Sequence, residues 1–416
     1  MKIPWLSLAL AAAWFAFPSQ ALAQADAGVP AAAPADGGTL SPEDEALMKE
    51  IEAASAPAAK PASGAAPAAA TEPPKTDGAA APKGAGGPFS NLYNPAMSLN
   101  GLFLGSFTTQ DAPADDQAHT GVAIQEVELQ VLANVDPFLS ANVILSVPGG
   151  KGVEVEEGYL SLTAQPLGIA FRGGKLKLPF GRENPQHTHA LPFVDRSLVG
   201  QAVFGDEGLS EVGVEGSYLL PLPWYLLLTA SVMNGDNEVA FHSPEDRDLA
   251  AFAALKSVVD VTDDATLELG ASYSVGRNAD RLTSQAAGGH LVVKWKPAAA
   301  STTHSAVLTL EGLYSRVPKA VTALGNETDT YGAYAYAQWQ LERQWYIGAR
   351  VEFVRPAAVV PDMSRRESAI LVFAPTEFSA VRLQGSATQP GGGAAPFYEA
   401  FLQVNFTLGA HPAHSY

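Results

Sequence analysis

From Pro88 onward the chain alternates apolar and polar residues with a period of two. Leu267, Leu269, Ala271, Tyr273 and Val275 alternate with Glu268, Gly270, Ser272 and Ser274. Trp345, Ile347, Ala349, Val351 and Phe353 alternate with Tyr346, Gly348, Arg350 and Glu352. This period sends successive side chains to opposite faces of a strand. Tight breaks such as Asp136-Pro137, Leu220 to Pro223 and Glu342 to Gln344 interleave with looser, polar breaks. The looser set includes Thr109 to His119, Asn234 to Arg247, Arg277 to Gly289 and Pro356 to Arg365. Short turns at one rim and longer loops at the other predict an up-and-down barrel of about 16 strands. Two segments change parity, near Glu157-Gly158 and at Gly173-Gly174, and a β-bulge is expected in each. Both lead into the longest break, Phe180 to Leu209.

The first residues read differently. Lys2, the apolar run Trp5 to Phe17 and Ala21-Leu22-Ala23 form an export signal over residues 1–23. Residues 24–87 are dominated by Ala, Pro and Gly, a composition too poor in apolar surface to offset ordering entropy. They are expected to be a disordered periplasmic tether. It carries a short helix near residues 42–54, started by Ser41, Pro42 and the acids that follow. No cysteine is present, which excludes both disulfide staples and a lipid anchor, and the net charge of −18 argues against nucleic acid. Charged residues make up only 16%. After the signal no window reaches the roughly 18 apolar residues of a membrane helix. The expected fold is therefore all-β: a transmembrane up-and-down antiparallel barrel over residues 88–416, exported to the outer membrane.

Several motifs carry a resemblance. Leu92 to Gly101, Ala133 to Phe138, Val153 to Tyr159, and Phe180-Gly181-Arg182 followed by Gln186-His187-x-His189 and Phe193-Val194-Asp195 resemble porin-like outer-membrane proteins of the phosphate-selective porin O/P group. The resemblance covers the first third of the barrel and implies a Gram-negative outer-membrane channel without fixing a solute. It also implies that the long stretch, the third external loop, folds inward as in sixteen-stranded general porins. The chain end departs from the pattern, because Phe406 is followed by a tail. Either Phe406 or Tyr416 would be the aromatic read by the barrel-assembly machinery.

If the apolar set faces lipid, the polar set lines a lumen. The wall candidates are Glu126, Glu128, Glu211, Glu215, Arg350 and Glu352. Arg172, Lys175, Lys177 and Arg182 form a candidate basic pathway for anions, unless Glu154 and Glu156 neutralise them. His187 and His189 are candidate constriction residues. A metal is the weaker reading for them, with Asp195 or His242 as further ligand, because a closed zinc site needs four ligands. No nucleophile accompanies His290, so no catalytic residue, enzyme activity or cofactor is expected. The expected function is passive diffusion of small hydrophilic solutes or ions, constricted by loop 180–209. The alternatives are a structural anchor whose residues 24–87 contact the cell wall, or a loop-based ligand- or metal-binding barrel. Lipid and further copies of the chain in a homotrimer are the expected partners.

Overall fold

The computed structural model describes residues 95–110, 120–149, 152–245, 248–319, 328–357 and 362–409. The expected export signal, the expected tether with its short helix, and Tyr416 lie outside these residues. The alternating segments form sixteen strands: β1 (Ala96–Thr108), β2 (Gly121–Asn134), β3 (Leu139–Pro148), β4 (Glu154–Leu162), β5 (Ile169–Lys177), β6 (Ser210–Leu219), β7 (Tyr225–Met233), β8 (Ala250–Thr262), β9 (Ala265–Arg277), β10 (Thr283–Trp295), β11 (Ser305–Arg316), β12 (Asp329–Glu342), β13 (Trp345–Arg355), β14 (Ser364–Thr376), β15 (Ser379–Gln389) and β16 (Phe397–Gly409). Each pairs antiparallel with its sequence neighbour. β1 also pairs with β16, from Ser98↔Gly409 to Thr108↔Glu399, and closes the barrel. Closure removes the sheet edges, which a hydrocarbon environment cannot satisfy.

Burial along each strand is the reverse of a water-soluble sheet. On β16, Gln403, Asn405 and Thr407 are buried, whereas Leu402, Val404 and Leu408 are exposed. On β6, Glu211 and Glu215 are buried while Val212 and Val214 are exposed. The polar set thus faces inward and the apolar set outward, the arrangement that suits lipid outside and a wet interior. Trp224, Trp295, Trp339 and Trp345 all lie toward the tight-turn rim. Trp295 packs on Trp339 at 5.6 Å and Trp345 on Phe373 at 4.7 Å. A ring of aromatics at one rim matches an interfacial girdle. No helix among the described residues is long and apolar enough to cross a membrane.

Two expectations about local structure need correction. The break read at Arg277 to Gly289 is shorter, because β10 starts at Thr283 and pairs fully with β9 and β11. Its Ser-Gln-Ala-Ala-Gly-Gly run looks like a loop, but small inward residues are needed there. A Cβ on Gly288 would lie 2.8 Å from the Phe180 ring. The parity change in β5 involves no bulge, since its register with β4 and β6 is unbroken. The bulge expected near Glu157-Gly158 is present in β4, and another lies in β2. Leu102↔Glu126 is followed by Phe103↔Ile124, leaving Gln125 extra. Ile144↔Glu157 is followed by Leu145↔Val155, leaving Glu156 extra. A bulge turns two successive side chains to one face. Here it delivers Gln125 with Glu126, and Glu156 with Glu157, to the inside.

Candidate functional site

The stretch between β5 and β6 enters the barrel. Asn184 ties its neck: the amide Nδ2 donates to the carbonyls of Leu178 (2.7 Å) and Leu209 (3.1 Å), and Oδ1 accepts from Leu209 N–H at 2.7 Å. A short helix, α1 (Leu198–Phe204), starts at Ser197, whose hydroxyl accepts from Gly200 N–H, and stops at Gly205 with φ +84. Phe180, Leu191, Phe193, Val199, Val203 and Phe204 are almost completely buried. Phe180 meets Phe204 edge-on at 4.8 Å, and Phe193 meets Tyr336 of β12 at 5.9 Å. Burial of each such side chain contributes about 1.5–3 kcal/mol, so the stretch has a core of its own against the wall.

Polar contacts then fix it on nearly opposite sides of the ring. On β2, Gln125 Nε2 donates to the Val194 carbonyl at 3.0 Å. On β9 and β11, Ser272 accepts from Gly181 N–H and Glu311 accepts from the N–H groups of Arg182 (2.8 Å) and Glu183 (3.1 Å). On β13, Glu352 accepts from Leu198 N–H at 2.6 Å, the first residue of α1. On β15, Arg382 donates to the Leu191 carbonyl, and Gln384 bridges Val194 N–H and Asp195. Because β2 and β11 lie seven places apart in the closed order, the loop crosses the lumen rather than lining one side.

The wall is polarised around it. Arg350, Arg366 and Arg382 project from adjacent strands β13, β14 and β15, and the loop presents Asp195 to the first two at 2.9 and 2.8 Å. Glu352 is shared between Arg350 (3.0 Å) and Arg366 (2.7 Å). Burial disfavours ionised Asp195, but the charges of Arg350 and Arg366 outweigh it and hold its carboxyl below the usual range. Glu126, Glu128, Glu156 and Glu157 occupy β2 and β4 across β1 and β16. To these the loop presents His187 and His189. Burial opposes protonation of His187, yet the close carboxylates of Glu156 and Glu157 and the charge of Glu128 push its pKa up to about 10. Lys177 Nζ completes this cluster at 2.7 Å from Glu156.

Of the wall candidates, Glu126, Glu128, Glu211, Glu215, Arg350 and Glu352 are all buried on the inward face. Glu211 accepts from the backbone N–H groups of Gly235, Asp236 and Asn237, so it braces the β7–β8 loop. The four bases do not form one pathway. Arg172 is bonded to Glu215 at 2.6 Å, Lys177 to Glu156, and Arg182 faces Glu268 at 3.7 Å. Lys175 pairs across the sheet with outward-facing Val212, and its Nζ donates to the Val155 carbonyl. His187 and His189 come together with Glu128 and Glu156, but Asp195 belongs to the arginine side. Sequence reasoning missed Arg366. Its strand reads Ile370-Leu371-Val372-Phe373, apolar on both faces, so no parity was legible there.

A closed sixteen-strand barrel with an outward apolar face and a long loop folded into its lumen is the fold of the outer-membrane porins. The anion-selective porin of Comamonas acidovorans superposes with a TM-score of 0.54 at 10% identity, over 76% of this chain and 100% of that one. The outer membrane channel DcaP of Acinetobacter baumannii gives 0.52 at 9% identity, over 76% and 96%. The trimer form of OmpT of Vibrio cholerae gives 0.51 at 8% identity, over 76% and 99%. In sequence, an uncharacterized protein of Aquifex aeolicus is 29% identical over 337 residues, 71% of this chain and 70% of that protein. No family model matches.

Proposed function

We infer that the protein is an outer-membrane channel for passive diffusion of small hydrophilic solutes or ions, and that the loop from Phe180 to Leu209 sets its cut-off. One observation carries this reading: the loop is bonded to nearly opposite walls of a closed barrel whose inner face is polar. Such a strap leaves solutes only the passages between it and the wall. Acid and base sectors on opposite flanks of the strap impose a transverse field on whatever passes. No chemical step is involved. The trimer form of the similar Vibrio protein supports assembly of this chain as a homotrimer. The N-terminal side of β1 and the C-terminal side of β16 share the tight-turn rim, the periplasmic rim in bacterial barrels, which supports a periplasmic residue 24–87 segment. The decisive experiment is reconstitution of the full chain in planar bilayers at neutral pH. Stepwise conductance is expected, and a folded but electrically silent protein would overturn the proposal.

A further inference from the structure

On its acid-facing flank the loop brings His187 into one cluster with Glu128 and Glu156, and sets His189 beside Glu128. His187 and His189 come from the loop, Glu128 from β2, and Glu156 from the extra position of the β4 bulge. His187 Nδ1 lies 3.0 Å from Glu156 Oε1 and 3.5 Å from Glu128 Oε2, and His189 Nδ1 lies 3.1 Å from the same Glu128 oxygen. Ligand atoms of Glu128, Glu156 and His187 all fall within 4.8 Å of one another. Glu128 has a side chain only 3% exposed, yet its Oε2 has no hydrogen-bond partner among the described residues. His187 Nδ1 likewise has none, so these close approaches are not aligned N–H···O bonds. Oxygens of Glu128 and Glu156 and a ring nitrogen of His187 converge on a common centre, and a cation binding there displaces the His187 proton.

The geometry points to a binding site for a divalent transition-metal ion of the zinc type, held by His187, Glu128 and Glu156, with His189, now 3.1 Å from Glu128, moving in as the fourth ligand. In a tetrahedral site with metal–ligand bonds of about 2.0–2.1 Å, neighbouring ligand atoms are about 3.3–3.4 Å apart. The three observed separations, 3.0 to 3.5 Å, bracket that edge length. Two imidazoles with two carboxylates favour zinc, nickel or copper over calcium and magnesium, which take oxygen donors. His187 and His189 sit side by side with near-parallel rings, 5.8 Å between centroids and 9° between planes, which lets both Nδ1 atoms face the wall. The spacing His-x-His alone gave two ligands. The barrel supplies the other two from strands more than 30 residues upstream. Lys177 Nζ, 2.7 Å from Glu156, competes for one of the carboxylates and would have to move aside on binding. A bound ion would staple the loop to β2 and β4. The site stands whether or not the protein conducts.

The test is calorimetric titration of zinc chloride into the detergent-solubilised full chain. His187→Ala/His189→Ala and Glu128→Gln are titrated alongside, and their folding is checked by circular dichroism. One ion per chain is expected for the wild type, with both variants weaker by at least about tenfold, the scale of loss that even outer-shell changes cause. Cobalt(II) provides a second measurement: the wild type should give the intense visible absorption of a four-coordinate ion, and the double variant should not. Wild-type heats equal to those of the double variant, or a cobalt spectrum unchanged from the aqueous ion, would overturn the site.

Discussion

Arg350 grips a single loop residue twice. Its Nη2 lies 2.9 Å from Asp195 Oδ1, and its Nη1 donates to the Asp195 carbonyl at 3.0 Å. The same guanidinium lies over the Phe193 ring, 4.6 Å from its centroid. Arg366 holds the other Asp195 oxygen at 2.8 Å and donates to the Arg196 carbonyl. The backbone and the Asp195 side chain at this corner of the loop are therefore pinned by two neighbouring wall strands.

Replacing Asp195 with Asn should release that corner. Removing one partner of a buried ion pair costs about 3–5 kcal/mol, because the remaining charge is stranded. The expected result is loop cleavage by protease at neutral pH and a noisier, larger conductance, with the barrel intact. Acid should mimic the variant in the wild type. The Asp195 pKa is lowered by Arg350 and Arg366, so its stabilisation is complete above the unfolded value of about 3.9. That contribution is lost as pH falls through the lower native value. Conductance recorded from about pH 4 down to about pH 2 should change more in the wild type than in Asp195→Asn, in which only the remaining carboxylates titrate. Equal acid responses in both would remove Asp195 from the docking.

Gly288→Ala tests the wall side of the same dock. The new methyl would lie 2.8 Å from the Phe180 ring and 2.7 Å from Leu313 Cδ2. Overpacking of this kind costs about 1–3 kcal/mol. Gly332→Ala should be harsher, because its Cβ would lie 2.3 Å from the Phe353 carbonyl oxygen of β13 as well as 2.9 Å from a Val199 methyl of α1, straining the wall together with the dock. Both variants should lower the melting temperature and expose the loop to protease. Unchanged loop protection would mean that the loop does not rest on these strands.

The barrel was legible in the sequence because lipid on one face and polar groups on the other enforce strict alternation. Two of the places where the reading failed share one cause: they are where the loop docks. β10 carries Ser284, Ala286 and Gly288 inward because Phe180 occupies that space, so it imitates a loop. β14 carries Ile370 and Val372 inward beside the loop, so its two faces look alike and Arg366 was lost. Loop residues that matter were visible as types, His187, His189 and Asp195, but not their partners. Glu156 sits at a bulge position, which no alternation rule assigns to a face. Contacts such as Asp195 with Arg350 span 155 residues, and only the closed barrel brings them together.

Ion selectivity should separate Arg182 from Lys175, although both stood in one candidate pathway. Arg182 begins the loop, faces the lumen beside Glu268, and keeps 28% of its side chain exposed. Lys175 lies on the outward set and hydrogen-bonds a backbone carbonyl. Arg182→Glu should shift the reversal potential in a salt gradient toward cations, whereas Lys175→Glu should leave it unchanged. A shift in Lys175→Glu equal to that in Arg182→Glu would place both lysine and arginine on the permeation path.

Glu211 gives the opposite expectation, an inward carboxylate whose loss should leave permeation alone. It receives the N–H groups of Gly235, Asp236 and Asn237 at 3.2, 2.9 and 2.9 Å. Asn237 in turn donates to the Phe204 and Gly208 carbonyls, so the β7–β8 loop is fastened to the end of α1 through this one side chain. Glu211→Ala strands buried donors, each costing about 1–3 kcal/mol. The melting temperature should fall clearly, while single-channel conductance and reversal potential of the folded fraction match the wild type. Glu211→Gln, which keeps an acceptor oxygen, should recover part of the stability. A selectivity change in Glu211→Gln without a stability change would make Glu211 a pore residue instead of a brace.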